Sequence, residues 1–377
     1  MGRPPEHKLS TVNEMKITSI DSTIVNINRS RELATAYGVS TATNTVVVQV
    51  RTDEGITGIG QTVSPGAWGG DTVDTIKHHI DERLAPAVLG EDPFNIESLH
   101  QRMHQAHRAA VNARTALDFA FWDIKGRALG LPVYQLLGGA CMPGAVCHGF
   151  VERQEPAAMA ARIEEMSAED GWTWYKTKIG FSVAEDIAWY RQLRDLVGDE
   201  IQFQLDGNTG YTLGDAVHAL TQLERMGGVA LFEQPVRYLD EMAHLATRLA
   251  TPLQADESTG GGPRSVYEIA KERAAHVLHY KIHRYGGLLP CQRMSAIAEA
   301  AGLEISVAPY FDIIAAAAAH LAAATPIAKW PAGFSDMTDT ILAQPYEPDG
   351  QILKPPSGPG LGVSIDEDKL AYFAARQ

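Results

Sequence analysis

Residues 172–179, WTWYKTKI, begin a run of short hydrophobic strands that each end in charged or amide side chains. The strands that follow are IQFQLDGN (201–208), VALFEQP (229–235), TPLQADE (251–257) and HVLHYK (276–281). Segments with the hydrophobic spacing of helices separate them, for example VAEDIAWYRQLRDLVG (183–198), which ends at glycine. Alternating strands and helices predict a parallel sheet, and the simplest closed form of such a sheet is a β/α barrel.

The polar side chains at these strand ends recur at intervals of one strand–helix unit. The steps from Lys178 to Asp206, Glu233, Asp256 and Lys281 are 28, 27, 23 and 25 residues. Reactive groups of β/α barrels lie at the C-terminal ends of the strands. The spacing therefore predicts three carboxylates at the same depth, with a lysine-bearing strand on each side.

Three converging carboxylates repel one another unless a cation lies between them. Oxygen ligands that leave coordination positions open are typical of Mg²⁺. Each acid could instead be an ordinary polar residue where a strand meets a loop, but three acids in register favour a metal site.

The lysines follow the alternation of a strand. Lys176 and Lys178 are two residues apart, so both side chains point to the same face of the strand. Two adjacent ammonium groups disfavour each other's charge, so we expect at least one pKa to be lowered towards that of a base. Lys281 is predicted to lie across the barrel axis from this pair. The alternative interpretation is a solvated Lys-Thr-Lys at a strand edge.

Taken together, the motifs YKTKIG, QLDGN, FEQP, ADES and KIHRYGG, in this order, resemble the enolase superfamily. The closest resemblance is to its muconate lactonizing enzyme subgroup, within the mandelate racemase/muconate lactonizing enzyme family. ALDFAFWDIKGRALGLPVYQLLGG (116–139) resembles the segment that links the capping domain of that family to its barrel. PSGPGLGVSIDEDKL (356–370) resembles the C-terminal return of the chain. The resemblance covers roughly residues 15–377.

This resemblance implies an α/β fold, a modified TIM barrel of the (β/α)₇β type with an N-terminal α+β capping domain. We expect a flexible leader over residues 1–14, the capping domain over 15–138 and the barrel over 139–344. Residues 345–377 are expected to return to the capping domain.

The resemblance also implies a ligand set for Mg²⁺, formed by Asp206, Glu233 and Asp256. Glu257 is a competing ligand, because another subgroup binds the metal from that position. Asn208 is expected to contact the ligands rather than the metal.

In the family, the second lysine of the Lys-x-Lys motif is the base on one face of the substrate, which corresponds to Lys178. Lys176 then holds the pKa and orientation of that base, and Lys281 matches the lysine on the opposite face. The first step of the family is abstraction of the proton α to a carboxylate. Mg²⁺ stabilises the enediolate that results, as enolase-superfamily sites do.

Several reactions can start from this enediolate. We expect racemisation or epimerisation of an amino-acid or betaine-like, proline-type compound. The alternatives are β-elimination by a dehydratase, for example of a hydroxyproline, and a muconate-type cycloisomerisation. A more distant alternative is a barrel that binds a ligand without catalysis.

Substrate specificity is expected to come from the loops of the capping domain and from the last strands. Trp68, Asp312 and Trp330 could together hold a cationic nitrogen through cation–π and ionic contacts. The seventh strand lacks the histidine that marks mandelate-type members, and Tyr310, which lies nearby, is a further candidate for contact with substrate. Alternatively, Trp330 packs the barrel floor and Trp68 only shields the site.

Net charge, cysteine content and hydrophobicity indicate which partners and which cellular compartment to expect. The chain has 32 Lys and Arg residues against 46 Asp and Glu residues, a net charge of −14, which argues against a nucleic-acid partner. Its three cysteines form no Cys-x-x-Cys pair, so we expect a reduced, cytoplasmic protein. The apolar stretch 313–319 is too short for a membrane span and predicts a buried helix. The expected partner is a small-molecule carboxylate, and the resemblance is compatible with a homo-oligomer.

Overall fold

A computed structural model describes residues 15–35, 38–64, 70–335 and 337–375. The expected flexible leader, residues 1–14, and Trp68 lie outside the described residues. No helix in these ranges has both the length and the hydrophobicity that crossing a membrane requires.

An antiparallel sheet covered by helices forms the N-terminal part of the chain. Its strands are β1 (Ile17–Thr35), β2 (Gly38–Thr52) and β3 (Thr57–Val63). The helices are α1 (Val73–His79), α2 (Ala85–Val88), α3 (Ile96–Ala106), α4 (Val111–Leu129) and α5 (Val133–Leu136), with a π-helical turn over Ile80–Leu84. This arrangement agrees with the α+β cap expected from the sequence.

Helix α4 is almost wholly buried because the sheet packs very closely against it. At Gly60 in β3, an added Cβ atom would overlap the carbonyl oxygen of Ala116 in α4. Only a residue without a side chain permits this separation of strand and helix.

The following residues form a barrel of parallel strands, in which a helix connects each strand to the next from β4 to β11. The strands are β4 (Ala145–Phe150), β5 (Trp174–Lys178), β6 (Gln202–Asp206), β7 (Val229–Glu233), β8 (Leu253–Ala255), β9 (Val277–Tyr280), β10 (Glu304–Val307), β11 (Ala328–Trp330) and β12 (Ala332–Gly333). The helices are α6 (Pro156–Asp170), α7 (Val183–Leu196), α8 (Leu213–Met226), α9 (Leu239–Ala246), α10 (Pro263–Glu272), α11 (Leu288–Ala300) and α12 (Asp312–Ala323).

Strands β11 and β12 together occupy the eighth strand position of this barrel. β11 pairs with β10, while β12 pairs with β4, so the two short strands nearly close the ring. Pro331 separates them and has no N–H to donate to a ladder. Seven helices between eight strand positions, counted over the described residues, confirm the predicted modified TIM barrel.

After the barrel, the chain contacts both parts of the molecule. Strand β13 (Ile352–Leu353) pairs antiparallel with β4 of the barrel. Helix α13 (Glu367–Ala374) then lies against the cap, where Gln49 of β2 donates to Glu367 over 2.8 Å. The alanine-rich helix α12 is buried along its whole length, as its sequence predicts.

Candidate active site

The C-terminal ends of the barrel strands open into a cavity of about 1320 Å³ that also touches the cap. Asp206 and Glu233 are the last residues of β6 and β7, and Asp256 directly follows β8. Strand register places Lys178 beside Asp206 and Asp206 beside Glu233. All three acids are buried, Lys176 contacts both Asp206 and Glu233, and a carboxylate oxygen of Glu233 lies within 4.8 Å of one of Asp256.

Each predicted lysine contacts at least one of these acids. Lys176 Nζ lies 2.5 Å from Glu233 Oε2 and 2.9 Å from Asp206 Oδ2. Lys178 Nζ donates to the same Asp206 oxygen over 2.6 Å and to Asn208 Oδ1 over 2.5 Å. Lys281, on the other side, lies 2.5 Å from Asp256 Oδ2. The three acids thus lie on adjacent strands, and the lysines of the two flanking strands pair with them.

These ion pairs control the charge states of the buried groups. Burial by itself would raise the pKa of Asp206, but Lys176 and Lys178 outweigh it and hold that pKa well below its usual range. Burial opposes the charge on Lys176 as well, yet Asp206 and Glu233 raise its pKa above the ordinary value. The expected lowering is therefore not found for Lys176, because the sequence argument counted the neighbouring lysine and not the acids. Lys281 follows the same rule, since Asp256 outweighs burial and raises its pKa.

Glu257 and Asn208 form a separate pair beside the three acids. Asn208 Nδ2 donates to Glu257 Oε1 over 3.1 Å, while its own Oδ1 accepts from Lys178. Burial, followed by the carboxylates of Asp256 and Asp206, raises the pKa of Glu257 to about 7.

The acids retain unused ligand capacity, which is the test of whether a cation fits. Among the described residues, Glu233 Oε1, Asp256 Oδ1 and Glu257 Oε2 are buried without a hydrogen-bond partner. A buried unsatisfied carboxylate oxygen is costly, and a divalent cation removes that cost. The donors are all oxygens of the kind that Mg²⁺ prefers.

The sequence reasoning missed a histidine at this site. His279 on β9 lines the cavity, and one of its ring nitrogens lies within 4.8 Å of carboxylate oxygens of both Glu233 and Asp256. The signal was present, since His279 precedes Lys281 by two residues and so shares its face of the strand. Burial lowers the pKa of His279 well below its usual range, which favours the neutral imidazole.

Tyr310 and Asp312, both predicted to contact substrate, also line this cavity. They have φ angles of 55° and 50°, in the left-handed region that non-glycine residues seldom adopt. Such strain clusters at functional sites. Burial raises the pKa of Asp312 to about 6, although the hydroxyl of Thr340 donates to its carboxylate.

Trp330 lies at the opposite end of the barrel, so its predicted role in the substrate site is wrong. Its Nε1 donates to Glu304 Oε2 over 2.7 Å, and its ring packs edge-on against Trp174 with 5.9 Å between centroids. Glu304 and Trp174 are the first residues of their strands. The eighth strand position continues through β12, so Trp330 stands near its beginning. Packing at the barrel floor, the alternative interpretation, agrees with the structure.

Arg29 is a second cavity residue that the sequence reasoning missed. It lies in β1 where the pairing with β2 shifts register, between Asn28 and Leu33. Bulges of this kind redirect side chains next to active sites. In the described ranges its guanidinium has no hydrogen-bond or ion-pair partner, and its Nε is buried and unsatisfied. A lone arginine in the sequence carries no signal of such a position.

Comparisons with known proteins agree with this geometry. A family model described as "Mandelate racemase / muconate lactonizing enzyme, N-terminal domain" matches residues 19–138. A second, described as "Enolase C-terminal domain-like", matches residues 158–369.

Three relatives are similar over nearly their full length. The N-succinyl-L-Arg/Lys racemase of Bacillus cereus is 30% identical, with 96% of this chain and 99% of the relative covered. Its crystal structure gives a TM-score of 0.89, with 95% and 98% of the two chains covered. A chloromuconate cycloisomerase of Pseudomonas putida is 31% identical, covering 95% of this chain and 99% of the relative.

The third relative is a dipeptide epimerase from Enterococcus faecalis, solved with Mg and the dipeptide L-Leu-L-Tyr. It is 28% identical with a TM-score of 0.86, covering 93% of this chain and 99% of that one. All three relatives are isomerases, which confirms the prediction of an isomerase of this superfamily. The chain therefore belongs to the enolase superfamily, in the mandelate racemase/muconate lactonizing enzyme family.

Proposed function

We propose that this enzyme abstracts the proton α to the carboxylate of a small-molecule substrate, with Mg²⁺ held by Asp206, Glu233 and Asp256. The observation that carries the proposal is the position of Lys178 and Lys281 on opposite sides of these buried acids. When bound, Mg²⁺ supplies positive charge that stabilises the enediolate oxygens.

Lys178 is the group that accepts the proton on one face of the substrate. Asp206 and Asn208 hold its Nζ in place through two short hydrogen bonds. Lys176 lies between Asp206 and Glu233, where its charge holds the two carboxylates together. Lys281, on the opposite face, can return a proton and invert the configuration.

Racemisation or epimerisation of an amino-acid-like substrate is the leading form of this proposal, because lysines on both faces suit a transfer between them. β-Elimination shares this first step. Cycloisomerisation passes through the same enediolate but forms it by adding a carboxylate oxygen to a carbon–carbon double bond, after which a lysine donates a proton to the α-carbon. The relatives include both racemases and cycloisomerases. The products distinguish the three reactions: racemisation gives a stereoisomer, cycloisomerisation gives a lactone, and β-elimination releases water or ammonia.

The test is exchange of the α-proton for deuterium in D₂O, followed by NMR. The panel contains free amino acids, N-acetyl and N-succinyl amino acids, proline betaine and muconate, each with Mg²⁺ or with EDTA. We expect exchange of at least one acid that requires Mg²⁺ and is lost in Lys178→Ala. Equal exchange of both enantiomers by the wild type and Lys178→Ala would contradict the assignment of the base.

Arg29 favours a substrate that carries a second anionic group over one that carries a distal cation. It is a cation in the cavity wall without a carboxylate partner in the described ranges, and Trp330 is absent from that wall. The N-succinyl and N-acetyl derivatives of one amino acid differ in the distal carboxylate, so comparing their reaction rates measures the effect of that group. We expect the wild type to prefer the succinyl compound and Arg29→Gln to lose that preference. A preference unchanged in Arg29→Gln would exclude this role.

A further inference from the structure

The interior of the barrel contains a histidine at the proposed metal site that the predicted ligand set does not use. His279 is buried, and one of its ring nitrogens and one carboxylate oxygen each of Glu233 and Asp256 all lie within 4.8 Å of one another. Among the described residues, this is the one group of three or more such side chains that could hold a metal ion.

A chain of hydrogen bonds anchors the imidazole from behind. His279 Nδ1 lies 2.8 Å from Ser306 Oγ, which accepts from Gln254 Nε2 over 2.6 Å. Gln254 Oε1 in turn accepts from Gln204 Nε2 over 2.8 Å. Since Nδ1 is engaged, Nε2 is the nitrogen that remains for a ligand. Histidines that bind metals in proteins are oriented in this way through their other nitrogen.

The neighbouring carboxylates do not use His279 as a hydrogen-bond donor. Glu233 Oε1 and Asp256 Oδ1 are buried and have no partner in the described part of the chain. If His279 were present only to satisfy these acids, a hydrogen bond to one of the two oxygens would be expected. The three groups instead converge without bonding to one another.

We propose that His279 is a further ligand of the metal ion, through Nε2, beside Glu233 and Asp256. This inference rests on the proposed function, because it concerns the same metal site. An imidazole among oxygen ligands shifts metal preference, since nitrogen ligands favour later transition-metal ions over Mg²⁺. The site should therefore bind Co²⁺ more tightly, relative to Mg²⁺, than three carboxylates alone would.

The first test needs no variant. The full-length protein is loaded with Mn²⁺ and studied by electron spin echo envelope modulation, which detects nitrogen bound to the ion. We expect ¹⁴N modulation that changes to a ¹⁵N pattern when the protein is produced with ¹⁵N-labelled histidine. Bound Mn²⁺ without a histidine nitrogen signal overturns the proposal.

Two variants show which histidine produces the nitrogen signal. In His279→Gln, whose folding is checked by circular dichroism, the nitrogen signal should vanish and Co²⁺ affinity should fall about tenfold or more, further than Mg²⁺ affinity. His148→Gln is the matched control, because His148 is also buried and lines the same cavity but lies outside the cluster. It should keep the signal, and loss in His148→Gln with retention in His279→Gln would overturn the assignment.

A third variant separates failure of this inference from failure of the proposed function. Asp256→Asn should weaken Mn²⁺ binding in either case. Mn²⁺ binding that does not depend on Asp256 would contradict the metal site itself. Mn²⁺ binding that depends on Asp256 but lacks the nitrogen signal would contradict only the role of His279.

Discussion

Lys178 and Lys281 face the same cavity from strands four positions apart, each bound to a different buried carboxylate. In a barrel of eight strand positions, four positions is half the circumference, so the two ammonium groups approach a bound substrate from opposite sides. Each lysine also has its own counter-ion, Asp206 or Asp256. The two lysines can therefore be tested independently.

For the two lysines, we predict a split between substrate enantiomers. Lys178→Ala should lose deuterium exchange for one enantiomer, and Lys281→Ala should lose it for the other. Loss of a positioned acid–base group reduces the rate by about 10²–10⁴-fold. NMR of each enantiomer in D₂O measures the rates. If both variants lost exchange of the same enantiomer alone, two-base proton transfer would be ruled out.

For the metal ligands, we predict that Mg²⁺ affinity depends on Asp256 and not on Glu257, the competing candidate ligand. Asp256→Asn removes a charged oxygen ligand and should weaken Mg²⁺ binding about tenfold or more. Glu257→Gln keeps a carbonyl oxygen that can accept from Asn208 and should change affinity by less than about threefold. Isothermal titration calorimetry measures both affinities. The reverse ranking would assign the ligand to Glu257.

For Asp312, we predict a pH-dependent gain in stability on substitution by asparagine. Burial raises its folded pKa from 3.8 to about 6, so the folded state binds the proton more tightly than the unfolded state. Ionisation of the buried Asp312 therefore lowers the free energy of unfolding. This loss is absent below about pH 4, grows as the pH rises towards 6, and then stays constant. Asp312→Asn should remove this loss, about 3 kcal/mol at pH 8. Asparagine also tolerates the positive φ angle.

Urea unfolding of Asp312→Asn at pH 4 and at pH 8 checks this expectation. The control is Asp339→Asn, an exposed neighbour that should change stability by less than about 0.5 kcal/mol at either pH. A gain in Asp312→Asn that is equal at both pH values would show that the titration of Asp312 is not its cause.

For the contact between cap and barrel, we predict that Asp118 is essential to stability. This buried residue of α4 accepts from the backbone N–H groups of Leu288 (2.5 Å) and Leu289 (3.4 Å), at the start of α11, and bonds to His100 over 2.7 Å. Asp118→Ala leaves these buried donors without an acceptor and should lower the free energy of unfolding by about 3 kcal/mol.

Chemical denaturation of Asp118→Ala measures this loss against Asp21→Ala, which breaks only an exposed ion pair with Arg51. That control should cost less than about 1 kcal/mol. Equal losses in the two variants would show that the cap does not depend on Asp118. Helix α11 follows the loop after Lys281, so the same variant should also disturb the site.

The ring of charged strand ends could be predicted because each strand–helix unit is a local pattern of similar length. Alternation along a strand placed Lys176 and Lys178 on one face, and the structure agrees. The same rule applied to HVLHYK would have placed His279 beside Lys281. The expectation that at least one pKa of this pair is lowered does not hold for Lys176, because the acids that raise its pKa come from other strands.

By itself, therefore, the sequence determined the barrel, the order of its strands and the identity of the polar residues at their C-terminal ends. These follow from hydrophobic periodicity and unit length, which depend on neighbours along the chain. Local patterns could not predict that Trp330 lies at the barrel floor or that Arg29 reaches the cavity from the cap. Those positions depend on a strand interrupted at Pro331 and on a shift of register between β1 and β2, and both arise from contacts between segments distant in sequence.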